Sequence, residues 1–184
     1  FSIFKKDKGE IQFLYRIKGK GTEKLKGLKR GDSLKILGPL GNGYPEAPDN
    51  SLPILIAGGV GIASIFPLAE KLSDKAHLFY GGRNKDELLI LDKLRGTVKE
   101  LAISTDDGSL GEKGTVVDML NKFLTQHSSL TSQHLIYACG PHPMLEAVSK
   151  LALEKGLRGY VSMEESMACG VGACLSCVVK TKGI

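Results

Sequence analysis

The chain has 184 residues, 42% of them hydrophobic and 24% charged, which suits one or two globular units with a buried core. The formal charge is +5, yet Lys and Arg are scattered apart from a concentration between Lys18 and Arg30. No basic stripe is interleaved with aromatics, so a nucleic-acid surface is not expected. No apolar run is long enough for a transmembrane helix and no signal peptide is visible, so no membrane contact is expected. The first residue is Phe1, and the natural N-terminus is expected to precede it. The four cysteines form no secreted disulfide framework and fit a reducing cytoplasm.

In chain order, residues 1 to 48 read as β-structure with turns. Ser2-Ile3-Phe4 is a strand end, Ile11 to Ile17 a strand, and Leu34 to Leu37 another. Between them Gly19-Lys-Gly21-Thr22 opens a short helix over Glu23 to Leu28. Free N–H groups there suit an anion such as a pyrophosphate, and a plain turn with a Thr22 cap explains them equally well. Too few strands are present to close a barrel, so this reads as the later part of one.

A second unit follows the linker from Pro45 to Asn50. Leu52 to Ala57 is a continuous apolar strand of the buried parallel kind. Gly58-Gly59-Val60-Gly61 comes next, then a helix over Ile62 to Leu72. Strand, glycine turn and helix together suit a dinucleotide phosphate, although the full Gly-x-Gly-x-x-Gly fingerprint is absent. His77 to Tyr80 and Val98 to Ser104 are further strands, separated by a helix over Lys85 to Lys93. Gly114-Thr115-Val116 opens a helix through Leu124. His134 to Cys139 is the fourth strand, and Gly140-Pro141 turns into a helix reaching about Lys155. The alternation is a doubly wound pattern, with functional groups expected beyond Gly58, Gly81, Thr105 and Cys139. Cys139 reads as a cofactor-contacting position or a small buried residue.

Tyr160 to Glu165 leads into Cys169-Gly-Val-Gly-Ala-Cys174-Leu-Ser-Cys177. Thiolates at Cys-x4-Cys-x2-Cys spacing match the loop of a plant-type 2Fe–2S cluster. Gly170 and Gly172 allow the tight path around the metal. Zinc favours paired Cys-x2-Cys hooks instead, and unligated thiols are the other alternative. A fourth cysteine is expected beyond Ile184, on the partner strand of a hairpin begun by Cys177 to Lys182. The four histidines, His77, His127, His134 and His142, show no metal spacing.

The order of these pieces resembles the ferredoxin–NADP reductase superfamily, and within it the electron-transfer subunits of dihydroorotate dehydrogenase. Nearly the whole chain carries the likeness: Phe1-Ser2-Ile3, Leu14-Tyr15-Arg16, Gly19 to Thr22, Leu37 to Gly43, Ala57 to Gly61, Cys139 to Met144 and Met167 to Cys177. The resemblance implies an α/β plus β fold in three parts: residues 1–48 as the C-terminal part of an FAD-binding β-barrel, 49–158 as a doubly wound parallel NAD(H)-binding domain, and 159–184 as a small, incomplete 2Fe–2S domain. It implies FAD contacts from Phe1, Ser2, Leu14, Tyr15, Arg16, Gly21 and Thr22. NAD(H), the substrate, would dock over Gly58, Gly59 and Gly61, with Cys139 and Gly140 near the nicotinamide. Cys169, Cys174 and Cys177 map onto three cluster ligands.

The implied function is an NAD-linked oxidoreductase without a catalytic side chain of its own. It would relay electrons between a partner FMN-containing dihydroorotate dehydrogenase catalytic subunit and NAD, through 2Fe–2S and FAD, in pyrimidine biosynthesis. The family implies a cytoplasmic heterotetramer. Alternatives are a subunit of an NAD(P)H–ferredoxin oxidoreductase or of a sulfhydrogenase, and a non-catalytic nucleotide- or redox-sensing module. Asp106 and Asp107 oppose a 2′-phosphate while Arg83 would welcome one, so the residues leave NAD against NADP open.

Overall fold

In the computed structural model, residues 1–127 and 133–180 are described. They fall into two compact units: Phe1–Arg16 with Tyr44–Met163, and Ile17–Gly43 with the segment from Glu164 onward.

The first unit is built on six parallel strands. In chain order these are β3 (Leu52–Gly58), β4 (His77–Gly82), β5 (Glu100–Thr105), β6 (Glu112–Lys113), β7 (His134–Cys139) and β8 (Arg158–Ser162), and they lie side by side in the order β6-β5-β4-β3-β7-β8. Helices α2 (Ile62–Leu72), α4 (Val116–Gln126) and α5 (His142–Glu154) connect and cover them, with a short α3 (Leu91–Leu94) before β5. β3 and β7 are buried nearly end to end, which explains their unbroken apolar runs. Alternate residues of β3 serve two cores. Leu55 and Ala57 pack with Ile62, Ile65 and Phe66 of α2. Ile54 and Ile56 pack with Leu120 of α4 and Val148 of α5 on the other face.

The chain runs from β3 outward to β6, then returns to β7 on the other side of β3. Strand order therefore reverses between β3 and β7, and an open α/β sheet binds ligands in the crevice beyond that point. An antiparallel hairpin, β1 (Ile3–Asp7) with β2 (Glu10–Phe13), belongs to the same unit. Phe4 anchors it by stacking on Phe66 of α2, with ring centroids 4.7 Å apart.

Several expected boundaries move. The strand predicted over Ile11 to Ile17 stops at Phe13, and Leu34 to Leu37 forms no strand, leaving Leu34, Ile36 and Leu37 exposed. The helix predicted over Lys85 to Lys93 is a 3-10 turn over Lys85–Glu87 followed by α3. Ile90 breaks it, with a left-handed φ of 55° that a β-branched residue adopts only when its surroundings force it. β8 is a strand where the sequence suggests only a lead-in to the cysteine loop; as a mostly exposed edge strand it has little apolar pattern. Residues 178–180 form no strand, and the rest of that predicted strand, 181–182, lies outside the described residues.

The second unit contains α1 (Lys20–Lys26), which starts three residues before the predicted Glu23, and the cysteine loop. None of its described residues is buried. Among the described residues no helix is long and apolar enough to cross a membrane.

Candidate functional site: a glycine-lined crevice and a cysteine loop

β3 and β7 lie in register with Ala57 opposite Cys139, so the glycine turn and the Cys139-Gly140-Pro141 turn leave the sheet side by side. Their backbones approach too closely for side chains. A Cβ on Gly61 would stand 2.3 Å from the Cys139 carbonyl oxygen, and one on Gly140 would stand 3.0 Å from Gly58 Cα. A Cβ on Gly58 would meet Met144 Sδ at 2.6 Å and Pro141 Cδ at 2.8 Å. Gly59 has φ of +51°, and its turn feeds directly into α2, whose N-terminus has no side-chain cap. A 3-10 turn over Gly59–Gly61 without a side-chain cap leads into α2, and the Ile62 amide bonds back to the Gly59 carbonyl; the amides at the start of that turn are the ones an anion can reach, on a surface from which side chains are excluded. A nucleotide diphosphate fits this cradle.

Cys139 itself is in the core, 2% exposed, so it would meet a ligand in the crevice through its backbone. Tyr44 packs beside it and donates a hydrogen bond to the Ala138 carbonyl at 3.2 Å; burial pushes the Tyr44 phenol up to about 12.

Tyr80 is a residue that motif reading misses. It is fully buried, donates to the Gly59 carbonyl at 2.9 Å and accepts from the Leu89 amide at 2.8 Å. Burial pushes its phenol up to about 12, so it stays protonated and pins the turn as a donor. Glu87 is a second missed residue. Its carboxylate takes Arg83 Nε at 2.8 Å and the Arg83 amide at 3.1 Å, and lies 3.3 Å from Arg16 Nη2. The i,i+4 spacing from Arg83 was the available signal.

Arg16 also approaches the glycine turn, since a Cβ on Gly59 would lie 3.6 Å from its Nη2. Next to it, Tyr15 meets Phe1 edge-on at 5.7 Å, and Phe1 remains 74% exposed. Leu14 packs against the core. Arg16 thus lies at the glycine turn, Tyr15 precedes it in the chain and packs on Phe1, and Ser2 is exposed. An exposed aromatic edge followed by an arginine is a donor set that suits a flavin nucleotide.

Gly21 and Thr22 lie in the other unit. Thr22 Oγ1 is taken up locally, accepting from the Lys18 amide at 2.9 Å and donating to the Gly19 carbonyl at 3.0 Å. In the same unit, Cys174 N–H points at Cys169 Sγ, 3.4 Å away, and Cys174 Sγ lies 3.3 Å from Ser176 Oγ. The Ser176 hydroxyl, with backbone N–H groups, lowers the Cys174 thiol to about 6; the Cys174 amide lowers Cys169. Gly170 and Gly172 turn the loop at φ of 71° and 77°. Among the described residues no three His, Cys, Asp or Glu side chains stand close enough to hold a metal ion. The donor chemistry fits an iron–sulfur cluster, because soft thiolates on a glycine-bent loop are what such a cluster takes.

Three histidines also gather. His77, His127 and His134 surround Phe123, with centroids 5.3, 4.2 and 5.9 Å from its ring. They line a cavity of about 180 Å³ at the N-terminal ends of β3, β4 and β7, far from the glycine turns.

Residues 55–150 match the oxidoreductase NAD-binding domain, and residues 164–184 match the iron–sulfur cluster binding domain of dihydroorotate dehydrogenase B. The chain is 41% identical to the dihydroorotate dehydrogenase B (NAD(+)) electron transfer subunit of Clostridium acetobutylicum, over 99% of this chain and 70% of that protein. The chain belongs to this family of electron transfer subunits. The Desulforamulus reducens member is 39% identical over 94% of this chain and 66% of its own length. The chain thus spans about two thirds of the curated relatives it matches. Among solved structures it resembles the NADH-dependent reduced ferredoxin-NADP oxidoreductase studied for flavin-based electron bifurcation. That likeness has a TM-score of 0.71 at 32% identity, over 89% of this chain and 58% of the other. The fold is that of a ferredoxin–NADP reductase-like oxidoreductase with a parallel nucleotide-binding sheet.

Proposed function

We propose that this chain is the relay subunit of a two-subunit dihydroorotate dehydrogenase, passing electrons between a partner FMN subunit and NAD in pyrimidine biosynthesis. The observation that carries the reading is one chain holding both the glycine crevice and a segment matching the iron–sulfur domain of that enzyme. When bound, FAD supplies hydride exchange with NAD(H), and a 2Fe–2S cluster supplies one-electron transfer.

The chain's own residues bind and orient. Gly58, Gly59 and Gly61 present N–H groups to the NAD(H) diphosphate, held in shape by Tyr80. The backbone of Cys139 and Gly140 lines the nicotinamide side. Phe1, Ser2, Leu14, Tyr15 and Arg16 bind the flavin, and Gly21 and Thr22 its pyrophosphate. Cys169, Cys174 and Cys177 supply three cluster thiolates. Residues 1–48 serve as part of a flavin-binding barrel, 49–158 as the nucleotide domain and 159–184 as the cluster segment. A cytoplasmic heterotetramer with two catalytic subunits is the assembly this reading implies. The names of the curated relatives favour this partner over a ferredoxin oxidoreductase or sulfhydrogenase subunit.

Steady-state assay of the purified full-length subunit tests the reading. NADH-dependent reduction of an artificial acceptor is expected, and no turnover of dihydroorotate until the FMN subunit is added. Dihydroorotate oxidation by the lone subunit would contradict it.

A further inference from the structure

The glycine turn offers a diphosphate its backbone amides, and a cation stands over it. Gly59 is open on the side where a Cβ would point, and Arg16 Nη2 is the nearest atom there, 3.6 Å from that position. The turn is fixed by Tyr80, which donates to the Gly59 carbonyl at 2.9 Å. A diphosphate lying on these amides carries two negative charges, whereas the amides offer only partial positive ones. A guanidinium at this distance supplies a whole charge, and its planar fork of donors matches phosphate oxygens.

Arg16 is held in this place from two sides. Leu14, two residues earlier, packs against the core. Glu87, whose side chain is only 15% exposed, lies 3.3 Å from Arg16 Nη2. That carboxylate is itself fixed: Oε1 takes Arg83 Nε at 2.8 Å and Oε2 takes the Arg83 amide at 3.1 Å. The 3-10 turn Lys85–Glu87 that carries it is capped by Asn84, whose Oδ1 accepts from the Asp86 amide at 3.1 Å. The same turn is tied down by the Lys85 amide, which donates to Ser109 Oγ at 2.8 Å. Arg83 takes the directed hydrogen bonds of Glu87, and Arg16 meets it as an ion pair while its own side chain stays 48% exposed. Its N–H groups on the open side are left for a ligand. An arginine already held loses less side-chain entropy on binding than a free one.

We propose that Arg16 anchors the diphosphate of NAD(H), as a fixed guanidinium over the Gly59 turn, in addition to any contact it makes with the flavin. The inference rests on the nucleotide crevice proposed above. It is tested by calorimetric titration of the full-length protein, kept in excess FAD, with ADP-ribose and with adenosine as the probe without phosphate. The preference for ADP-ribose over adenosine should fall about tenfold in Arg16→Gln. It should fall by less in Arg16→Lys, which keeps the charge and loses the fork. Added salt should erode the preference of the unmodified protein and leave that of Arg16→Gln nearly flat. KM for NADH should rise more than kcat falls. An unchanged preference in Arg16→Gln, with ADP-ribose still bound, would overturn the Arg16 role alone, and so would a loss of flavin affinity with that preference kept. Failure of the unmodified protein to bind ADP-ribose would overturn the crevice reading and this inference with it.

Discussion

The glycine crevice and the cysteine loop are both candidate cofactor sites, and they are held in opposite ways. The crevice is set by packing: Gly58, Gly61 and Gly140 close on Cys139 and Met144 with clearances no side chain could share, behind strands that are buried on both faces. The loop has no buried residue, and among the described residues no three metal-binding side chains gather there. A preformed site pays its ordering cost during folding, whereas a metal loop is ordered by the metal it binds. Changes in the crevice should therefore register as lost stability, and changes in the loop as lost metal.

The largest effect should come from the loop. Cys174→Ser should take bound iron to background in a quantitative iron assay while leaving the melting of the sheet unit within a few degrees of the parent. A large drop in sheet stability would break the contrast. Next comes Gly61→Ala, which drives a methyl into the Cys139 carbonyl at 2.3 Å. Urea unfolding should show a loss of about 1–3 kcal/mol with iron content unchanged. Gly172→Ala, with nothing within 4 Å of the added methyl, is the matched control, its cost confined to the strained φ of +77°.

Tyr80→Phe sharpens the comparison inside the crevice. It removes the donor to Gly59 and the acceptor for Leu89, at about 1–3 kcal/mol. The Gly59 turn should loosen, so KM for NADH should rise more than kcat falls.

The smallest effect concerns acid. Burial lowers His134 and His77 from the ordinary 6.5, with the neighbouring histidines adding to the shift of His134 and Glu100, 3.1 Å from His77, opposing that of His77. Folded pKa values below the unfolded ones mean the unfolded chain binds protons first. Stability should be full above about pH 6.5 and fall as pH drops below it. His134→Gln should flatten that fall in unfolding experiments between pH 5 and 7; an unchanged slope would remove His134 from the cause.

Much of the sheet unit was legible because burial on both faces writes itself as apolar runs: Leu52 to Ala57 and His134 to Cys139 became β3 and β7, and Ile62–Leu72 became α2 to the residue. Gly114-Thr115-Val116 was legible as the start of α4, where the structure shows Thr115 and Asp118 forming a capping box. Leu34 to Leu37 misled because alternation promises a strand only where a partner exists to bury one face. The helix over Lys85 to Lys93 failed because periodicity cannot register the left-handed Ile90. The cysteine spacing was legible; Glu87, Tyr80 and the histidine cluster were not, since each acts through partners distant in sequence or through a turn mistaken for a helix.

The most direct test is the visible spectrum of anaerobically purified full-length protein, with iron and flavin assayed on the same sample. Flavin bands and a broad iron–sulfur absorption to their red side, both bleached by NADH, are the expected result. A colourless protein carrying zinc would contradict the relay and leave a nucleotide-sensing module in its place.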